Sequence, residues 1–110
     1  MSEKVTSEPE YYNQYLTYMD YFATGEGRTI EIFYALAMTE KEARQKHLDK
    51  FYPNDAAAQN YFGPGVEVMD AKSKKAKDLI KHIFKFGAGL HKDLIKAGCE
   101  FHFKFHFNHS

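Results

Sequence analysis

Six histidines, one cysteine and nine lysines gathered in residues 61–110 are the side chains of this 110-residue chain with the most chemistry to offer. Imidazole moves protons near neutral pH and binds metals, a thiolate attacks electrophiles, and ammonium groups hold anions. Spacing decides which of these roles survive. His102 and His106 share one face of an alternating stretch but stand four residues apart, about 13 Å in a strand, whereas ligands of one zinc each lie about 2.1 Å from it. His82 and His91 fall on opposite sides of a helix, and no HExxH, CxxC or HxH occurs. A metal site would need one strand histidine joined by Glu31 or His47 through the fold. The expectation is surface histidines, with no metal and no cofactor.

Nucleophilic catalysis has no GxSxG motif, and Cys99 lies in no recognisable motif. As the lone cysteine it excludes an internal disulfide, reads as a small buried hydrophobe and fits a reducing, cytoplasmic setting. Gly63 to Gly65 contains proline and lacks a Walker lysine, and Gly25 with Gly27 reads as a turn. An enzyme is therefore the lesser reading.

Two surfaces remain. On a helical wheel Lys74, Lys81, Lys85, Lys92 and Lys96 form a line opposite an apolar stripe, a pattern that tracks a polyanion such as nucleic acid or forms a solvated face diluted by Asp78 and Asp93. The absence of arginine there counts against bidentate readout. The other is a protein-binding surface, either the second sheet face with His102, Lys104 and His106 near Glu31 and Phe33, or the face of the first helix that carries Tyr11, Tyr18 and Tyr21, since tyrosine is enriched in protein interfaces.

The elements that must position these groups follow from periodicity and caps. Ser7 with Glu10 is a capping box ahead of apolar residues at helical spacing, which predicts a helix over 8–24 stopped by Gly25, with 1–7 flexible. Residues 28–38 switch to period two, with Ile30, Ile32, Tyr34, Leu36 and Met38 on one side. Thr39 and Glu42 open a short helix that Tyr52 and Pro53 end. Asn54 or Asp55 caps another helical piece through Phe62, and Val66 and Val68 mark a short strand. Over 71–97 the apolar phase persists across Gly87 and Gly89, which predicts one amphipathic helix of ~40 Å ended by Gly98. Gly87 falls in the apolar stripe, where another backbone approaches closely. Last, Phe101, Phe103, Phe105 and Phe107 alternate with His102, Lys104 and His106, so the phenylalanines face a core.

These elements predict an α+β fold: a single two-layer domain over 1–110 with about three strands packed under several helices. The length suits one domain. Fifteen basic residues cancel fifteen acidic ones, which disfavours a strongly basic nucleic-acid binder and an acidic mimic alike. Charge is uneven along the chain, with six basic against ten acidic residues in 1–60 and nine against five afterwards. No signal-like run follows Met1, and the longest apolar run, Ile32 to Met38, is short of the ~20 residues that span a membrane, so no membrane partner is expected. The leading expectation is a small non-enzymatic domain that binds another protein, as adaptor or inhibitor, or a second copy of itself. Polyanion binding through the lysines comes second, and a histidine-dependent enzyme or metal protein third.

Overall fold

The computed structural model describes residues 12–23, 25 and 27–107. The chain begins with strand β1 (Asn13–Ala23) and strand β2 (Gly27–Ala37), then helix α1 (Glu40–Phe51) and helix α2 (Ala56–Phe62). A single 3-10 turn (Gly63–Gly65) leads to strand β3 (Glu67–Asp70), helix α3 (Lys74–Ile83), helix α4 (Gly87–Ala97) and strand β4 (Phe101–Phe107). The four strands form one antiparallel sheet in the order β3-β1-β2-β4.

Three expectations are corrected here. The segment expected as a helix over 8–24 is β1 where it is described, and the capping box at Ser7 and Glu10 lies outside the described residues. Its tyrosines, Thr17 and Phe22 are residues that fit a pleated surface, and an extended backbone separates Leu16 and Tyr18 from Tyr15, Thr17, Met19 and Tyr21. Gly25 and Gly27, with φ of 86° and 83°, turn the chain into β2 along an eleven-residue antiparallel register from Asn13↔Ala37 to Ala23↔Gly27.

The single long helix over 71–97 is two helices. Phe84 caps α3 in an extended conformation, φ −120° and ψ 142°, and α4 folds back alongside α3. The apolar phase persists because both helices lie on one sheet face: Ala76, Leu79, Ile80, Ile83, Leu94 and Ile95 belong to one core. The expected close approach at Gly87 is real, since a Cβ there would collide with the Ile80 carbonyl, the backbone of α3 itself. Gly98 ends α4 with φ 66°.

The third correction concerns the layers and the strand count, four rather than about three. Helices cover both faces of the sheet. Leu16, Ile30, Ile32, Tyr34 and Met69 meet α3 and α4, while Phe33, Ala35, Ala37, Met19 and Val68 meet α1 and α2. β1 and β2 are central, so both their faces are buried, and Leu16, Ile32 and Tyr34 are fully enclosed. Each such side chain contributes about 1.5 to 3 kcal/mol through burial.

The remaining elements lie where periodicity and caps put them. β2 begins and ends one residue before the expected 28–38 with the expected alternation kept, α1 opens on Thr39 Oγ1 accepting from Glu42 N at 3.1 Å, and Asp55 caps α2 through Ala58 N. Glu42 reaches back to the Met38 amide, one residue before the Thr39 cap, at 2.7 Å. β4 is an edge strand whose Phe103 and Phe105 are half-buried under Phe84, with Lys104 more exposed than either, while Phe101 and Phe107 at its ends are exposed. Among the described residues no helix is long and apolar enough to cross a membrane.

Candidate functional site

Two clusters of chemistry-bearing side chains emerge, one buried and one open. The buried cluster lies between β2 and α1. Glu31, His47 and Thr17 are fully enclosed. Thr17 donates its hydroxyl proton to the Phe33 carbonyl at 3.0 Å, so its 2.8 Å contact with His47 Nδ1 has the hydroxyl oxygen accepting from an Nδ1–H. His47 Nε2 then faces Glu31 Oε1 at 3.0 Å, and one proton is shared between them. Burial pushes the Glu31 carboxyl up, but the hydrogen bonds from His47 and Tyr52 and the Lys104 charge outweigh it and hold the group below its usual range.

The other Glu31 oxygen accepts from Tyr52 at 2.6 Å and from Tyr21 at 3.2 Å, with Lys104 Nζ at 3.7 Å. Burial and the bond to Glu31 raise the Tyr52 hydroxyl well above the ordinary phenol range. Hydroxyl, imidazole and carboxylate stand in the order of a hydrolytic triad, yet no substrate reaches them: all three are enclosed and the Thr17 proton is committed to a backbone carbonyl. Their work is to fix α1 on the sheet.

This geometry revises the mixed sheet surface. The β2–β4 register does set Phe33 opposite His102, Glu31 opposite Lys104 and Thr29 opposite His106. Phe33 and Glu31, however, are buried beneath α1 and present nothing to a partner. His102 packs edge-on against Phe33 and Phe51, Lys104 leans over the Tyr52 ring, and His106 Nδ1 meets Thr29 Oγ1 at 2.8 Å. The tyrosines do not share a face either. Tyr18 belongs to the α3–α4 side, where burial and its bond to Asp20 push its hydroxyl up to about 12, and Tyr21 belongs to the Glu31 network. Tyr11 lies outside the described residues. Cys99, expected in the core, is exposed because it follows the Gly98 cap. Glu31 and His47 do meet, but among the described residues no group of three or more histidines, cysteines and carboxylates is placed to hold a metal ion.

The open cluster is a groove of about 1,020 Å³ between the amino end of α3 and the outer face of α4. Lys72, Ser73, Lys74 and Lys77 form one wall, Lys92 and Lys96 the other, and Ala88, Gly89, His91 and Ile95 complete the lining. Residues 88, 91, 92, 95 and 96 recur at helical spacing, which is how α4 turns one face to the groove. His91 is nearly enclosed and bonds the Tyr34 hydroxyl through Nδ1 at 2.7 Å. Burial, with the nearby Lys77 ammonium, lowers its pKa against the opposing pull of the Ala71 carbonyl.

Of the five expected stripe lysines, Lys74, Lys92 and Lys96 line this groove and Lys81 and Lys85 do not, because the break at Phe84 ends the line. Lys72 and Lys77 take their place. Lys74 pairs with Asp78 at 2.8 Å, whereas Lys72, Lys77, Lys92 and Lys96 have no ion-pair partner among the described residues. The signal for this site was the tight run Lys72, Lys74, Lys75, Lys77 around a Ser73 cap, where a helix ordinarily prefers carboxylates. Comparison with protein families, curated proteins and solved structures gives no match to this chain.

Proposed function

We propose that this is a non-enzymatic binding domain whose site is the groove between α3 and α4 and whose ligand is an anion bearing phosphate groups. The observation that carries the reading is the convergence of Lys72, Lys74, Lys77, Lys92 and Lys96, from two separate elements, on one groove. Convergent ammonium groups repel one another and raise the local potential, and a bound anion relieves that repulsion. Helix α3 adds the positive end of its dipole: its first turn has no acidic residue, and the Asp70 carboxylate ahead of it accepts from the Lys72 amide. Lysine holds phosphate as a point charge, without the planar fork of arginine.

An NMR titration of the full chain with sodium pyrophosphate tests this. Saturable shifts confined to the amides of residues 72–77 and 88–96, shrinking as salt is raised, are the expected result. Shifts spread over all surface lysines, or none, would overturn it.

One observation favours a second reading, association of β4 with a second copy of the chain. β4 is an edge of the sheet, and its exposed polar side chains lean over the neighbouring strand rather than past the edge: Lys104 stands 3.7 Å from Glu31, His102 packs on Phe33 and Phe51, and His106 meets Thr29. A lysine projecting past such an edge would guard it, and Lys104, though exposed, is drawn toward Glu31. Sedimentation of the full chain and of a Phe101→Glu, Phe107→Glu variant decides: a dimer lost in the variant supports the reading, and a monomer throughout removes it.

A further inference from the structure

The groove has a shape as well as a charge, and resting on the anion-binding reading we infer that its ligand is a compact multivalent phosphate, of the polyphosphate-chain class, rather than an extended polyanion. An extended nucleic-acid backbone needs cations in a line. The turn at Phe84 abolishes that line, leaving Lys81 and Lys85 outside the groove while α4 folds Lys92 and Lys96 back to face Lys72 and Lys77. Lysines from both sides of the open groove engage a short ligand at once.

Charge matching narrows the class. With Lys74 bound to Asp78, Lys72, Lys77, Lys92 and Lys96 remain without an ion pair among the described residues. They are matched by a ligand of about four negative charges, which a tripolyphosphate chain carries and a single orthophosphate does not. No Phe, Tyr or Trp lines the groove among the described residues, so it offers no platform on which the bases of a single strand would stack. His91 adds no further cation while it stays neutral against Tyr34, and Ile95 and Ala88 give the floor no acceptor side chain.

Calorimetric titration of the full chain with sodium tripolyphosphate, sodium orthophosphate and oligothymidylate is the test, repeated on Lys77→Gln, Lys92→Gln, Lys96→Gln, their triple combination, and Lys81→Gln with Lys85→Gln as the outside control. Tripolyphosphate should bind with one-to-one stoichiometry and at least about tenfold more tightly than orthophosphate. Each groove substitution should weaken it roughly three- to fivefold and the triple variant by roughly thirtyfold or more, while the outside pair changes it less than twofold. All substituted residues are exposed, and a thermal melt of each variant confirms that folding is intact.

If oligothymidylate binds and tripolyphosphate does not, or if Lys81 and Lys85 matter as much as the groove lysines, the compact-ligand inference is overturned while anion binding stands. If none of the anions binds, both fall.

Discussion

On one face of the sheet α1 lowers an imidazole onto a buried carboxylate, with His47, Glu31, Thr17 and Tyr52 hydrogen-bonded into a single network. On the other face α3 and α4 bring Ile80, Leu79, Leu94 and Ile95 onto Leu16, Ile30 and Ile32, and the buried polar contacts with α4 are uncharged: Tyr34 with His91, and Gln14 Nε2 on the Leu94 carbonyl at 3.2 Å. The first layer is oriented by directional bonds and the second by shape. Charge is therefore inside the first layer and excluded from the second, whose lysines collect along its outer rim as the groove. The helix starts show the same division: α1 opens with Glu40 and Glu42 in its first turn, and α3 opens with no acid and a run of lysines.

The sharpest way to break this contrast is to remove one partner of the buried pair. His47→Leu should cost about 3 to 5 kcal/mol, because it leaves the Glu31 carboxylate enclosed without its imidazole, and urea unfolding reads the loss. A loss under about 1 kcal/mol would mean that Tyr52 and Lys104 suffice and that the network is not what holds α1. On the apolar side the matching change is steric. Gly87→Leu should cost about 1 to 3 kcal/mol by driving α4 off the Ile80 backbone, whereas Gly89→Ala, which meets nothing, should melt like the parent.

The two layers should also separate by pH. Glu31 is held below its ordinary 4.5, so its stabilisation is complete above that value and is lost as pH falls through the depressed folded value. His91 is depressed from 6.5 by burial, so its contribution is complete above 6.5 and begins to fade at a higher pH than that of Glu31. Stability measured from pH 8 to pH 3 should lose its upper slope in His91→Gln and its lower slope in Glu31→Gln. Slopes that are unchanged in both variants would show that neither group couples to folding. The smallest expected effect is at the helix starts: Lys75→Glu should stabilise by about 0.3 to 1 kcal/mol and Glu40→Lys destabilise by a similar amount, visible as opposite shifts in Tm.

What the sequence disclosed tracks how local each determinant is. β2, β4 and both caps at Thr39 and Asp55 depend on residues within a few positions of one another, and period-two alternation or a capping side chain states them directly. β1 misled because nearly every residue from Tyr15 to Phe22 is apolar or aromatic, so helical and extended periods both find an apolar face in it. The helix break misled for a different reason: two helices packed on one sheet face keep the phase that one helix would have.

The sites were harder to read. Alternation sets Glu31 with Phe33 on one side of β2 and Lys104 with His102 on one side of β4, but neither the register that opposes them nor the helix that covers Glu31 is local. His47 reaches it only through the path of α1 across the sheet. The helical wheel groups Lys74, Lys92 and Lys96 with Lys81 and Lys85, and only the fold-back of α4 separates the two sets and recruits Lys72 and Lys77.

The long β1–β2 hairpin has a consequence in time. Its two strands are joined by the tight turn around Gly25, and they are also the two central strands, so the pairing with the least loop-closure entropy is the one on which both edges depend. The pairings of β3 with β1 and of β4 with β2 close longer loops, so these contacts should form last. Assembly should then run from the middle of the sheet outward, and opening under stress the reverse way. Amide exchange should then be slowest in Leu16 and Ile32 and fastest in β4, whose docking is shallow enough to peel away while the hairpin stays closed.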